Sequence, residues 1–306
     1  MEGLIIKSTG SSYKVRCNDG TIVNCSIKGS FRMKGIVATN PLAVGDRIEF
    51  EFEKDENTGV INTLLERKNY IIRKSVNLSK QSQIIASNID MAYLVVSMIM
   101  PSTSTGFIDR FLATAEAYRI PVTILFNKKD LYNDDALEIQ NTLMDLYRKI
   151  GYECHSISAF NPDDVNKVKK MMKHRINLFS GHSGVGKTTL LNAINPNLNL
   201  KTGAISKAHS KGVHTTTFAE LFEVDKDTFI IDTPGIRDFG IFDFKKEEVS
   251  HYFPEMLKVL NNCRFNNCMH VNEPDCAVKQ AVEEGKIAMS RYYNYLSIID
   301  GSDSYK

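Results

Sequence analysis

The sequence predicts a multi-domain α/β chain in three parts. These are an N-terminal five-stranded OB-like β-barrel, a central α/β region with a mostly parallel sheet and helices on both faces, and a helical C-terminal region that holds a metal. Three observations lead there. Short β-branched and aromatic runs broken by turn residues fill the first part, strand and helix patterns then alternate, and three of the six cysteines crowd into one late segment beside a histidine. With 306 residues, 42% hydrophobic and 24% charged, the chain has a globular composition that excludes wholesale disorder. The first residues lack the long apolar stretch of a secretory signal, and the apolar run Met91 to Met100 falls short of the roughly 20 residues of a membrane span. Neither export nor a membrane partner is therefore expected. A net charge of +2 decides nothing about nucleic acid, because a local basic face can hide in a neutral sum.

In the first part, expected as a domain over residues 1–68, strands are read at Leu4 to Lys7, Tyr13 to Cys17, Ile22 to Ile27, Arg47 to Phe52 and Val60 to Leu64, with turns at Asp19-Gly20 and Asn57 to Gly59. Five short strands without a helix suit a barrel of the kind that often binds oligonucleotides. Lys28, Phe31, Arg32 and Lys34 gather charge and a stacking surface in one barrel loop, which suits RNA as well as it suits a solvated loop. From residue 69 to 241, buried strands at Ala92 to Ile99, Val122 to Phe126, Glu153 to Ile157, Ile176 to Ser180 and Thr228 to Ile231 alternate with helices. The helices are read at Phe107 to Tyr118, Leu137 to Ile150, Val165 to Lys173 and Lys187 to Ile194. Residues 242–306 read as helical and end in a polar tail.

Gly181, His182, Ser183, Gly184, Val185, Gly186, Lys187, Thr188 and Thr189 follow an apolar strand and open a helix, as a phosphate-binding loop requires. Glycines let successive backbone N–H groups face phosphate oxygens, Lys187 is expected to reach the β- and γ-phosphates, and the Thr188 hydroxyl to hold Mg2+. Phe229 to Asp232 is an apolar strand ending in a carboxylate suited to Mg2+, and Asp232-Thr233-Pro234-Gly235 supplies a turn whose Gly235 N–H can sense a γ-phosphate.

The base is read from Asn127, Lys128, Lys129 and Asp130. A carboxylate in a base pocket accepts from guanine N1–H and the 2-amine together, adenine offers neither, and Asp130 therefore selects GTP over ATP. Asn127 can bond the base edge, the Lys128 stem can cover the ring, and Ser158 and Ala159 fit a second guanine-contacting segment. These base elements precede the phosphate loop, the reverse of the usual order, so the central region is read as a circularly permuted phosphate-loop GTPase domain using GTP/GDP. The permutation runs the Asp232 to Asp238 segment straight into the C-terminal region, which nucleotide state could then move as a lever.

Leu200 to Thr217 has the composition of a mobile switch, with Lys201, Lys207, His209 and Lys211 placed to sense RNA. Thr216 is favoured over Thr215 as a further Mg2+ ligand. Ile236 stands where many such enzymes carry a water-orienting glutamine, and His214 is the best candidate for that task, weighed against a purely structural loop histidine. Lys187, Thr216 and His214 are thus the expected catalytic residues.

Cys263, Cys268, His270 and Cys276 combine thiolates and an imidazole at a spacing that suits one structural Zn2+ with four protein ligands.

Taken together, the barrel, the permuted order from Asn127-Lys128-Lys129-Asp130 to Asp232-Thr233-Pro234-Gly235, the His214-Thr215-Thr216-Thr217 loop and the Cys3His segment resemble the bacterial small-ribosomal-subunit-dependent GTPase A family (RsgA/YjeQ) over nearly the whole chain. The resemblance implies a cytoplasmic GTPase that binds the small ribosomal subunit and its rRNA late in assembly and is stimulated by that subunit, here expected as a monomer. It further implies GTP contacts from Asn127 to Asp130 and from Gly181 to Thr189, a catalytic His214, and zinc on the Cys3His residues. Val213 departs from the polar or basic residue common at that position.

Overall fold

The structure, a computed structural model, describes residues 1–9, 12–27, 41–53, 58–74, 82–200, 219–232 and 245–301. The chain divides into two compact units. One holds Met1–Ala92, Asn166–Phe179 and Leu191–Ile236, the other Tyr93–Val165, Ser180–Leu190 and Arg237–Lys306.

In the first unit the period-2 runs become β1 (Glu2–Ser8), β2 (Tyr13–Cys17), β3 (Ile22–Ile27), β4 (Arg47–Phe52) and β5 (Thr58–Leu64). β1 pairs with both β2 and β4, β2 with β3, β3 with β5 and β5 with β4, so the ring closes into the expected barrel. Alternation fills it. Tyr13, Val15 and Cys17 of β2 are buried while Lys14 is exposed, and Ile5, Val23, Ile48, Phe50 and Ile61 complete the core.

A hairpin that the sequence did not suggest, β6 (Tyr70–Lys74) with β7 (Ser82–Ser87), follows. A register shift between Ile71 and Ile72 breaks the alternation that would have signalled it. Further on, β11 (Ile176–Ser180) pairs in parallel with β13 (Thr228–Asp232), which pairs antiparallel with β12 (Glu220–Asp225). β12 meets β1 at Lys7 and Glu220, which form a 2.6 Å ion pair, and Arg16 grips Glu223 through two bonds of 2.8 and 2.7 Å.

In the second unit β8 (Met91–Val96), β9 (Val122–Phe126) and β10 (Glu153–Ser156) lie in the order β10-β9-β8, with β9 and β10 parallel. All five residues of β9 are buried, as in a strand covered on both faces. The apolar run expected to remain strand as far as Ile99 leaves the sheet at Ser97. There the Ser97 hydroxyl donates to the Ile99 carbonyl at 2.6 Å and turns the chain.

α1 (Thr105–Ala117) is capped by Ser104 and α2 (Asp134–Ile150) by Asn133, and α2 carries acids in its first turn and Arg148 and Lys149 in its last, opposite to its dipole. α3 (Pro162–Met171) and α4 (Lys187–Ile194) follow.

The C-terminal region is helical only in pieces: a 3-10 segment Lys246–Tyr252, α5 (Pro254–Leu257), α6 (Ala277–Glu283) and α7 (Met289–Asp300). Phe253, Met256, Val278, Tyr295 and Ile299 form its core together with Ala113 of α1. Buried charge reinforces this packing. Arg291 of α7 pairs with Asp109 of α1 at 2.7 Å and with Glu255 of α5 at 2.6 Å, while Tyr147 and Asn294 donate to the same Asp109 at 2.8 and 2.6 Å. Among the described residues no helix is long and apolar enough to cross a membrane.

Candidate functional site

The segment after β11 folds back on itself because its glycines allow it. Gly181 and Gly186 hold φ of +140° and +97°, and a Cβ would overlap the Val95 carbonyl oxygen at the first and the Asn127 side-chain amide at the second. Gly186→Ala is therefore expected to introduce about 1–3 kcal/mol of strain and to lower the melting temperature in thermal denaturation. Val185 is fully buried between them. Lys187 Nζ donates to the carbonyls of Gly181 and, at 2.7 Å, His182, so its ammonium lies in the mouth of the loop. The His182 ring lies on Phe107 of α1 with centroids 3.8 Å apart, and burial, followed by the nearby Lys187 charge, lowers its pKa and favours the neutral imidazole. Thr188 and Thr189 are half-buried in the first turn of α4, and Ser183 and Gly184 are exposed.

Asn127, 1% exposed at the end of β9, joins three segments. Its Nδ2 donates to the Val185 carbonyl at 2.8 Å, its Oδ1 accepts from Ala159 N–H at 3.0 Å, and its own N–H donates to Val96 at 2.8 Å. The phosphate-loop segment, the Asn127–Asp130 turn and the Ser158-Ala159 segment are thus brought together inside one compact unit. Lys128 follows at a left-handed φ of 71°, and Asp130 is exposed on the 3-10 turn Lys129–Leu131, its carboxylate accessible to a ligand. Lys129 turns elsewhere. Its ammonium pairs at 2.7 Å with Asp164, which also accepts from Ser158 N–H at 2.8 Å and so fastens the Ser158-Ala159 loop to the turn. Neither Asp164 nor Phe107 carried a signal in the sequence, since both act only through contacts between distant segments.

Asp232 is the last residue of β13, opposite Glu220 of β12. The Asp232 side chain lies outside the described residues, as do Thr215, Thr216, Gly235 and His214. So do Lys28, Phe31, Arg32 and Lys34 of the barrel loop, and Lys201, Lys207, His209 and Lys211.

The second candidate site is the Cys3His segment, where one ligand atom from each of Cys263, Cys268, His270 and Cys276 lies within 4.8 Å of all the others. His270 Nδ1 is 3.7 Å from the Cys263 sulfur and 3.3 Å from that of Cys276. A tetrahedral ion with bonds of about 2.3 Å to sulfur and 2.0 Å to nitrogen requires an S···N edge of about 3.5 Å, which these distances bracket. The donor set therefore fits zinc. Surrounding groups hold the ligands in place. Tyr292 and Tyr295 of α7 donate to the carbonyls of His270 and Met269 at 2.6 and 2.7 Å, and Glu273 accepts from the N–H groups of Met269, Val271 and Asn272. Burial alone would raise the Glu273 carboxyl, but these backbone bonds outweigh it and hold it below its usual range.

A family model described as RsgA GTPase matches residues 64–242, and one described as RsgA N-terminal domain matches residues 2–61. The small ribosomal subunit biogenesis GTPase RsgA of Bacteroides fragilis is 55% identical over 306 residues, covering 100% of this chain and 98% of that one, and the protein of that name from Flavobacterium johnsoniae is 52% identical over 307 residues, covering 100% and 94%. Among solved structures, YjeQ from Thermotoga maritima superposes with a TM-score of 0.79 at 34% identity, covering 100% of this chain and 99% of that one. YloQ, described as a circularly permuted GTPase, gives 0.76 at 31%, covering 100% and 96%. With its closed N-terminal barrel and matches that cover 94–99% of the length of these relatives, the chain belongs to the RsgA GTPase family.

Proposed function

We propose that this GTPase hydrolyses GTP to GDP and phosphate during late maturation of the small ribosomal subunit, and that the subunit and its rRNA stimulate it. The observation that carries the reading is Asn127, whose single buried side chain ties the Gly181 to Thr189 segment to the Ser158-Ala159 segment, three residues before Asp130. GTP is held by Asn127, Lys128, Asp130, Ser158 and Ala159 at the base and by residues Gly181 to Thr189 at the phosphates. Lys129 contributes through its bond to Asp164. Lys187 stabilises charge on the transferred phosphoryl group, Gly235 senses the γ-phosphate, and His214 orients the attacking water. Thr188, Thr216 and Asp232 are the residues that would hold Mg2+, which neutralises phosphate charge when bound. Cys263, Cys268, His270 and Cys276 would hold one structural Zn2+.

The working division is a barrel over residues 1–68 that contacts rRNA, a GTPase domain over 69–241 and a zinc-binding domain over 242–306, acting as a monomer in the cytoplasm. The test is phosphate release from GTP, with ATP as control, with and without purified small subunits. Subunits are expected to accelerate GTP hydrolysis alone, and His214→Ala to lower the stimulated rate about 10²-fold with nucleotide affinity nearly intact. If subunits bind but turnover stays flat, the chain is an RNA-binding factor for which GTP is an ordering ligand only.

A further inference from the structure

The turn between β8 and α1, residues 97 to 104, belongs to none of the motifs above, yet it touches both the base turn and the phosphate loop. Tyr132, one residue past the 3-10 turn Lys129–Leu131, accepts a hydrogen bond from Met98 N–H at 2.9 Å and donates one to the Asn127 carbonyl at 2.6 Å. Lys128 Nζ donates to the Met100 carbonyl. Ser97 N–H donates to the Thr103 hydroxyl at 3.2 Å, and a Cβ on Gly184 would lie 3.1 Å from Pro101, so the same turn borders the phosphate loop.

Asp130 sits exposed on a single 3-10 turn, and so short an element is only as stiff as its ends. Asn127 stands before that turn and Tyr132 after it, and the Tyr132 hydroxyl bonds one to the other while anchoring both to Met98. We infer that Tyr132 is a positioning residue for guanine specificity, its hydroxyl clamping the Asn127–Asp130 turn to the 97–104 turn so that the Asp130 carboxylate and the Lys128 stem stay at the spacing of a 2-amino-6-oxopurine. This rests on the reading of Asn127 to Asp130 as the base-binding turn. Burial pushes the Tyr132 phenol above its usual value, so it keeps the proton it donates.

The experiment measures dissociation constants for GDP and for IDP, which lacks the 2-amine, on the full chain by calorimetry. The wild type is expected to prefer GDP. In Tyr132→Phe that preference is expected to fall about 2- to 10-fold, the effect of losing the bonds from Met98 N–H and to the Asn127 carbonyl. Ser97→Ala, which removes the bond that shapes the 97–104 turn, is expected to move the ratio in the same direction. An unchanged GDP-to-IDP ratio in both variants, or equal weakening of both nucleotides, overturns the proposal. Asp130→Asn tested against XDP, whose 2-oxo group replaces the amine, examines the base-turn reading separately. No gain for XDP there overturns that reading and this proposal with it, whereas a gain for XDP beside an unchanged ratio in Tyr132→Phe and Ser97→Ala overturns this proposal alone.

Discussion

Arg291→Met is expected to cost about 3–5 kcal/mol of stability, the usual result of removing one partner from a buried ion cluster. Arg291 is 1% exposed and Asp109 not exposed at all, and the guanidinium serves Asp109 and Glu255 at once while its face lies 4.4 Å above the Phe253 ring. Burial alone would lower the Arg291 pKa, but the two carboxylates more than reverse that and hold the group charged. Methionine fills much of the volume but leaves Asp109 with only the Tyr147 and Asn294 donors. Denaturant unfolding should show the loss as a lower midpoint. Asp109→Asn combined with Arg291→Met should recover part of it, because the uncompensated charge has gone too. A midpoint within error of wild type in the single variant would contradict the assignment.

Metal removal should have the other large effect. Structural zinc sites contribute on the order of 10 kcal/mol to the folding of small isolated domains, because the ligands have no other means of staying together. Here the Cys263 to Cys276 segment contains no long helix, and it is held otherwise by Glu273, Tyr292 and Tyr295. The protein is expected to contain one zinc per chain by atomic absorption. Chelation should lower the melting temperature and raise amide hydrogen exchange across residues 263–276. Because thiolate ligands compete with protons, zinc should also dissociate as the pH falls. Unchanged exchange after verified metal loss would show that the hydrogen bonds alone suffice.

The parts legible in the sequence are those where chemistry dictates residue type at fixed local spacing. The phosphate loop needs Gly181 and Gly186 at positive φ next to Lys187, and a tetrahedral thiolate site needs its cysteines close together, so both can be read without a fold. The barrel was legible because buried Tyr13, Val15 and Cys17 of β2 and Ile48 and Phe50 of β4 alternate with polar residues, whereas β6 sets Ile71 and Ile72 side by side at a register shift. What stayed hidden was pairing over long separations. Nothing near Asp109 in the sequence points to Arg291, and nothing near Lys129 shows that its charge is spent on Asp164. Tyr132 and Phe107 are ordinary residues whose roles come only from what the fold sets beside them.

Helix α1 has a consequence for how motion can pass through the second unit. One end of the helix rests on the phosphate loop through Phe107 and His182, and two residues further on Asp109 is sealed to α7 by Arg291. For the C-terminal segment to swing away from α1, the cluster would have to expose three charged groups and forfeit its mutual attraction, a barrier far above thermal energy. The segment therefore has few independent degrees of freedom. Any lever motion driven by nucleotide state is therefore expected to carry α1, and the Phe107 ring that lies against His182, along with it.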